Sequence, residues 1–128
     1  MWRLQIAAGE EVRIDTVPAL VAALDMLEAG GTDRPPLAVL TAQNGDSLIF
    51  GFSGGEGVVS YVPGDGSSPS YSSKGSCSTG DMVVLFAYLG HWTEIPAHRM
   101  IPASLARGAV LRFFTHRELC GRVEWEQE

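Results

Sequence analysis

Three histidines (His91, His98, His116) and two cysteines (Cys77, Cys120) have the most capacity for metal binding or nucleophilic chemistry in this 128-residue chain. Their spacing argues against both uses. No pair stands at C-x-x-C or H-x₃₋₅-H separation, the arrangements that bring two ligands to one zinc ion. His116 falls near the end of a helical stretch, where the helix dipole favours a positive ring without any metal. Cys77 lies between Ser76 and Ser78, with no elbow motif to present a nucleophile, although a histidine partner need not be close in sequence. The P-C-x-x-C that completes the zinc signature of a nucleic-acid deaminase is missing. Gly51, Gly54, Gly55 and Gly57 invite a phosphate-loop reading, but they spell neither G-x-G-x-x-G nor G-x-x-x-x-G-K-[ST]. The Val58–Val62 run that follows them is β-branched strand and not helix, so a hairpin turn is the better reading. No catalytic residue, metal site or cofactor is expected.

What remains are carboxylates. Residues 1–65 hold nine acids against Arg3, Arg13 and Arg34, a balance of −6, whereas residues 66–128 hold six charges of each sign. An acidic half excludes direct nucleic-acid binding, because affinity for phosphate needs Lys and Arg. It suits a basic partner, or serves only solubility. Three of these acids sit on turns: Asp46 after Asn44-Gly45, Glu56 in the glycine-rich turn, Asp65 at the start of a Ser-rich loop. With the nearby Tyr71, and Trp92 as a rim aromatic, they form the expected contact patch; Trp92 is equally suited to packing under a helix.

The elements that must position them follow from pattern. Apolar residues make up 45% of the chain and charged ones 19%, the composition of a soluble globular protein, and the length fits one domain spanning residues 1–128. Arg3 to Ile14 reads as short extended pieces around Gly9. Asp15 or Thr16 caps a helix with Pro18 in its first turn, Leu20, Leu24 and Leu27 on one face, and Gly30-Gly31 as its stop. Leu37–Thr41, Ser47–Phe52 and Val58–Val62 form an antiparallel meander, with Asn44-Gly45 as a hairpin signal. Pro63–Gly80, with four Gly, two Pro and seven Ser, is a loop or an irregular edge strand. Met82–Leu89, apolar on both faces, reads as the central strand. In the last third, Ala106, Ala109, Val110, Phe113 and Phe114 share one helical face between Pro102 and a stop at Gly121. Arg122–Glu128 then alternates as a half-buried strand with Trp125 inward. The fold class is α+β: an antiparallel sheet (meander plus C-terminal strand) with two packed helices. There is no run of about 18 apolar residues to span a membrane, no signal-peptide h-region and no disulfide framework, which places the chain in the cytoplasm.

These residues also carry a resemblance. The Tyr88–Thr93 turn, Met100-Ile101-Pro102, Phe113-Phe114 and the terminal Val123-Glu124-Trp125 are similar to the first-numbered immunity-protein family of bacterial polymorphic toxin systems. Ser73-Lys74-Gly75, ahead of an apolar strand, resembles the corresponding stretch in the immunity protein of a cytosine deaminase toxin. The likeness covers roughly residues 37 to 128. Two places depart from the pattern: Gly108 inside the helix, and Cys120-Gly121 where Pro is more usual. The resemblance implies a non-enzymatic cytoplasmic inhibitor that covers the active-site face of a cognate toxin of the nucleic-acid deaminase class. From a different class, a small hydrolase or ligand-binding enzyme would use the Gly/Ser-rich loop and Cys77; a third reading is a structural or oligomerisation domain.

Overall fold

The computed structural model describes residues 2–6, 9, 11–29, 35–65, 69–75, 83–88 and 91–127, with backbone alone at positions 85, 87, 88, 91 and 92. Strands β1 (Trp2–Ile6) and β2 (Glu11–Ile14) precede helix α1 (Val17–Glu28), then come β3 (Ala38–Thr41), β4 (Ser47–Ser53), β5 (Glu56–Val62) and β6 (Tyr71–Ser73). β7 (Val83–Tyr88) and β8 (His91–Pro96) lead through a 3₁₀ turn at Ala97–Arg99 to β9 (Ile101–Pro102), helix α2 (Ala103–His116) and β10 (Trp125–Gln127). Eight strands form one antiparallel sheet in the order β10-β6-β5-β4-β3-β1-β2, with β9 paired to β5. Among the described residues, β7 and β8 pair only with each other. The architecture is α+β, with two helices and a mostly antiparallel sheet.

Alternation along the central strands assigns each face. Leu48, Phe50 and Phe52 of β4 and Val59 of β5 bury against Leu20, Leu24 and Leu27 of α1 and Ala106, Ala109, Val110 and Phe113 of α2. On the opposite face, Val58 packs with Leu37, Phe86 and Met100, flanked by Ile49, Val84 and Ile95. Glycines set how closely the layers approach. A Cβ on Gly57 would stand 2.7 Å from the Ala106 Cβ, and one on Gly51 would stand 2.8 Å from the Phe86 ring. Between them Gly54 and Gly55, with φ of +59° and +82°, form the two-residue turn joining β4 to β5. Both residues at positive φ is the type I′ geometry of a tight hairpin. The glycine cluster thus serves a turn and two packed faces, not a phosphate.

The Thr16 hydroxyl caps α1 by accepting from the Ala19 N–H at 3.3 Å, and Asn44-Gly45 turns the chain between β3 and β4 as the hairpin signal predicts. The Gly30-Gly31 stop lies outside the described residues. Four expectations are corrected. Met82–Leu89 is not the central strand: Val83–Tyr88 belongs to the separate β7–β8 hairpin lying over the sheet. Phe86, with Val84 beside it, is what it packs against the sheet's second face, while Val83 is exposed. The Ser-rich stretch does not supply the edge: β6 lies between β5 and β10. Helix α2 ends at Arg117, not Gly121, through a left-handed residue with φ of +58°. The last strand is three residues long, with Val123 buried and Gln127 exposed.

Trp125 is only half-buried and donates its Nε1–H to the Cys120 carbonyl at 3.0 Å. Phe113, 1% exposed, is the stronger anchor. Its ring makes edge contacts with Trp2 and Tyr61 at 5.3 and 5.9 Å. Phe113→Ala is expected to lower stability by about 3–5 kcal/mol. Trp125→Ala should be milder, since less surface is removed from burial. Urea unfolding midpoints at unchanged m-value measure both; equal losses would contradict the assignment.

Candidate functional site

The β3–β4 turn, the exit of β5 and the end of α2 meet around one carboxylate. Asn44 closes the turn: its Oδ1 accepts from the Asp46 N–H at 3.1 Å, and its Nδ2 donates to Asp46 Oδ2 at 3.0 Å. The Gly64 N–H donates to Asp46 Oδ1 at 2.8 Å and so ties in the chain leaving β5. From the end of β5 the Tyr61 hydroxyl faces the same carboxylate and interacts with it electrostatically. Arg117 brings its guanidinium within 3.7 Å of Asp46 and lies over the Trp2 ring, 5.5 Å from the centroid. A left-handed Arg is costly relative to Gly, by roughly 1–2 kcal/mol. The ion pair and the stacking over Trp2 are what that backbone conformation positions.

Charge and burial act on this cluster in opposite directions. The Gly64 hydrogen bond is the main reason the Asp46 carboxyl titrates below its ordinary value of 3.8, helped by Asn44, Arg117 and Tyr61 against partial burial. Tyr61 titrates above its ordinary 10.0, first because it is partly desolvated and then because the Asp46 charge stands beside its hydroxyl. Asp65, exposed three residues past the end of β5, adds to the same field. Tyr71, half-buried, is the direct cross-strand partner of Tyr61.

Of the five residues expected to make the contact patch, Asp46, Asp65 and Tyr71 therefore share one end of the sheet. Glu56 does not join them. It pairs with Ser53 beside the β4–β5 turn and with Pro102 of β9. That turn lies at the other end of β5, roughly 20 Å away at 3.3 Å per residue. Trp92 pairs with Ala87 on the hairpin over the second face, and its side chain lies outside the described residues. Trp2, Tyr61 and Arg117 are the members missed by sequence reasoning. Tyr61 had a usable signal, alternating with the apolar residues of a strand that ends at the Asp65 loop.

Ser73-Lys74-Gly75 marks a crossing of three segments. The buried Ser73 hydroxyl donates to the Arg99 carbonyl at 2.7 Å and accepts from the Val59 N–H at 3.2 Å. The Lys74 N–H donates to the Glu124 carbonyl at 2.9 Å. A Cβ on Gly75 would collide with the Met100 carbonyl oxygen, so in this motif only the exposed Lys74 side chain is open to a partner.

His116-Arg117-Glu118 does spell the H-x-E half of a deaminase zinc signature. Here His116 Nδ1 shares a hydrogen bond with Thr115 Oγ1 at 2.7 Å, and Glu118 pairs with Arg112 at 2.7 Å. Among the described residues no three of His, Cys, Asp and Glu gather as a metal site. Cys77 lies outside the described residues, and Cys120 is a free, half-buried thiol. No described helix is long and apolar enough to cross a membrane. What the sheet end offers is binding chemistry: two carboxylates beside tyrosines and a tryptophan.

Because folding depresses the Asp46 pKa, its contribution to stability is present above pH 3.8 and is lost as pH falls through the lower folded value. The raised Tyr61 pKa acts at the other limit, its contribution present below pH 10.0 and lost as pH rises beyond it. Asp46→Asn should therefore flatten the acid limb of a stability–pH profile and also shrink the alkaline limb, because the Asp46 charge is part of what raises Tyr61. An acid limb identical to wild type would contradict the tether.

No curated protein matches the chain. The family model described as immunity protein Imm1 matches residues 8–127, nearly the whole length. That description implies a cognate polymorphic toxin as partner. The chain belongs to the Imm1 immunity-protein family.

Proposed function

We propose that this protein is a non-enzymatic inhibitor that binds its cognate toxin through the sheet end carrying Asp46, Tyr61, Asp65 and Tyr71. It covers the toxin's active-site face and excludes substrate by bulk. The target is a nucleic-acid deaminase and the encounter is cytoplasmic. The observation that carries the reading is the convergence of two carboxylates with Tyr61, Tyr71 and Trp2 at one end of the sheet. A deaminase must hold a polyanion, so its active-site face is basic; complementary carboxylates speed encounter and penalise wrong partners. Tyrosine, tryptophan and arginine are the side chains that most often dominate binding energy. Support for the deaminase class comes from the likeness of Ser73-Lys74-Gly75 to an immunity protein against such a toxin.

The two carboxylates have different parts. Asp46 is already hydrogen-bonded on several sides and holds the turn in shape. Asp65 is exposed and presents charge to a partner. Tyr71 supplies the apolar anchor. Glu56 and Trp92, at the far end and on the second face, serve this reading as reference positions.

Binding to a catalytically inactive form of the cognate toxin domain tests the patch across a salt series. Asp65→Lys is expected to slow association and flatten its salt dependence, and Tyr71→Ala to speed dissociation, while Glu56→Lys leaves both rates near wild type. If Asp65→Lys and Tyr71→Ala both bind as wild type at low salt, the contact surface lies elsewhere.

A further inference from the structure

Gly108 is the sixth residue of the 14-residue helix α2, far from either end. A glycine there weakens a helix by roughly 0.5–1 kcal/mol relative to alanine. Close packing does not explain it: an ideal Cβ at Gly108 would meet no atom within 4 Å, and the position is half-exposed. Its backbone is ordinary helix, so no left-handed conformation requires it either. The glycine instead helps line a groove of about 540 Å³ between α2 and the returning segment, with Arg112, Glu118, Leu119, Cys120 and Arg122. Arg122 also borders the adjoining hollow, where Lys74 and Glu124 lie.

The geometry points to this groove as a second contact for the same toxin: it receives an acidic loop, and Gly108 keeps the floor open for it. The inference rests on the toxin-binding reading above. Charge selects the occupant. In a chain of net charge −6, Arg112, Arg122 and Lys74 outnumber Glu118 and Glu124 along this flank. Arg112 is paired with Glu118, which leaves Arg122 and Lys74 against Glu124, a balance of +1. Continuity supports one footprint. Arg117 belongs to the Asp46 cluster and Glu118 to the groove. Nine residues of helix, about 13.5 Å, separate Gly108 from Arg117. A typical interface covers about 800 Å² on each partner, a patch roughly 30 Å across, wide enough for both. The sheet end meets a basic surface and the groove an acidic one, so the pair fixes orientation.

The experiment measures melting temperature and binding to the inactive toxin domain for wild type, Gly108→Ala, Gly108→Leu and Arg122→Glu. Gly108→Ala should melt a few degrees higher, from restored helix propensity. Gly108→Leu and Arg122→Glu should bind at least about tenfold more weakly, as expected when an interface pocket is filled or its charge reversed. Added salt should shrink the Arg122→Glu defect. Should Gly108→Leu not fold, Arg122→Glu, at an exposed position, decides alone. Folded variants that bind within about twofold of wild type, beside a weakened Asp65→Lys, would overturn the groove and leave the sheet-end reading standing. Failure of wild type itself to bind would overturn both.

Discussion

β4 and β5 have to be dry on both faces, and that burial decides what the molecule can offer a partner. Phe50 and Val59 lie under the helices, while Val58 packs with Phe86 beneath the β7–β8 hairpin. The layers close only because Gly57 admits Ala106 on one side and Gly51 admits Phe86 on the other. Each fully buried side chain of this size contributes about 1.5–3 kcal/mol, so the sheet's middle is committed to folding. The sheet ends and the outer side of α2 are left to polar groups. The polar clusters sit there, around Asp46 and along the groove beside Gly108.

At the sheet end, holding shape and presenting charge fall to different residues. The Asp46 carboxylate joins the β3–β4 turn, the exit of β5 and, through Arg117, the end of α2. Arg117 in turn covers Trp2 of β1. Strands distant in sequence are fixed relative to one another before any partner arrives, which reduces the ordering that binding requires. Asp65 and Tyr71 then project from a surface whose backbone is already set.

Local features were legible in the sequence because their causes are local. The Thr16 cap, the Asn44-Gly45 turn, the leucine face of α1 and the Ala106–Phe113 face of α2 each depend on residues within two helical turns or one hairpin. Asp46 and Asp65 are separated by two antiparallel strands, β4 and β5, and such a separation returns the chain to the same end of a sheet. What the sequence could not reveal depends on long-range packing. An apolar run does not say whether its strand pairs within a sheet or packs over one, so Met82–Leu89 read as central although Val83–Tyr88 lies over the sheet. Arg117 as a left-handed cap has no compositional signal, since Gly is the usual residue there. Trp2 and Tyr61 join the site only because β1 and β5 both run beneath Phe113.

Hydrogen exchange of this protein with and without the inactive toxin domain tests the central claim most directly, since each surface carries its own amides. Binding through the sheet end and the α2 flank predicts slowed exchange at residues 44–46, 61–65 and 117–122, with the β4–β5 turn at Gly54–Glu56 unchanged. Protection confined to that turn or to the β7–β8 hairpin would contradict the account and move the toxin to the opposite side of the molecule.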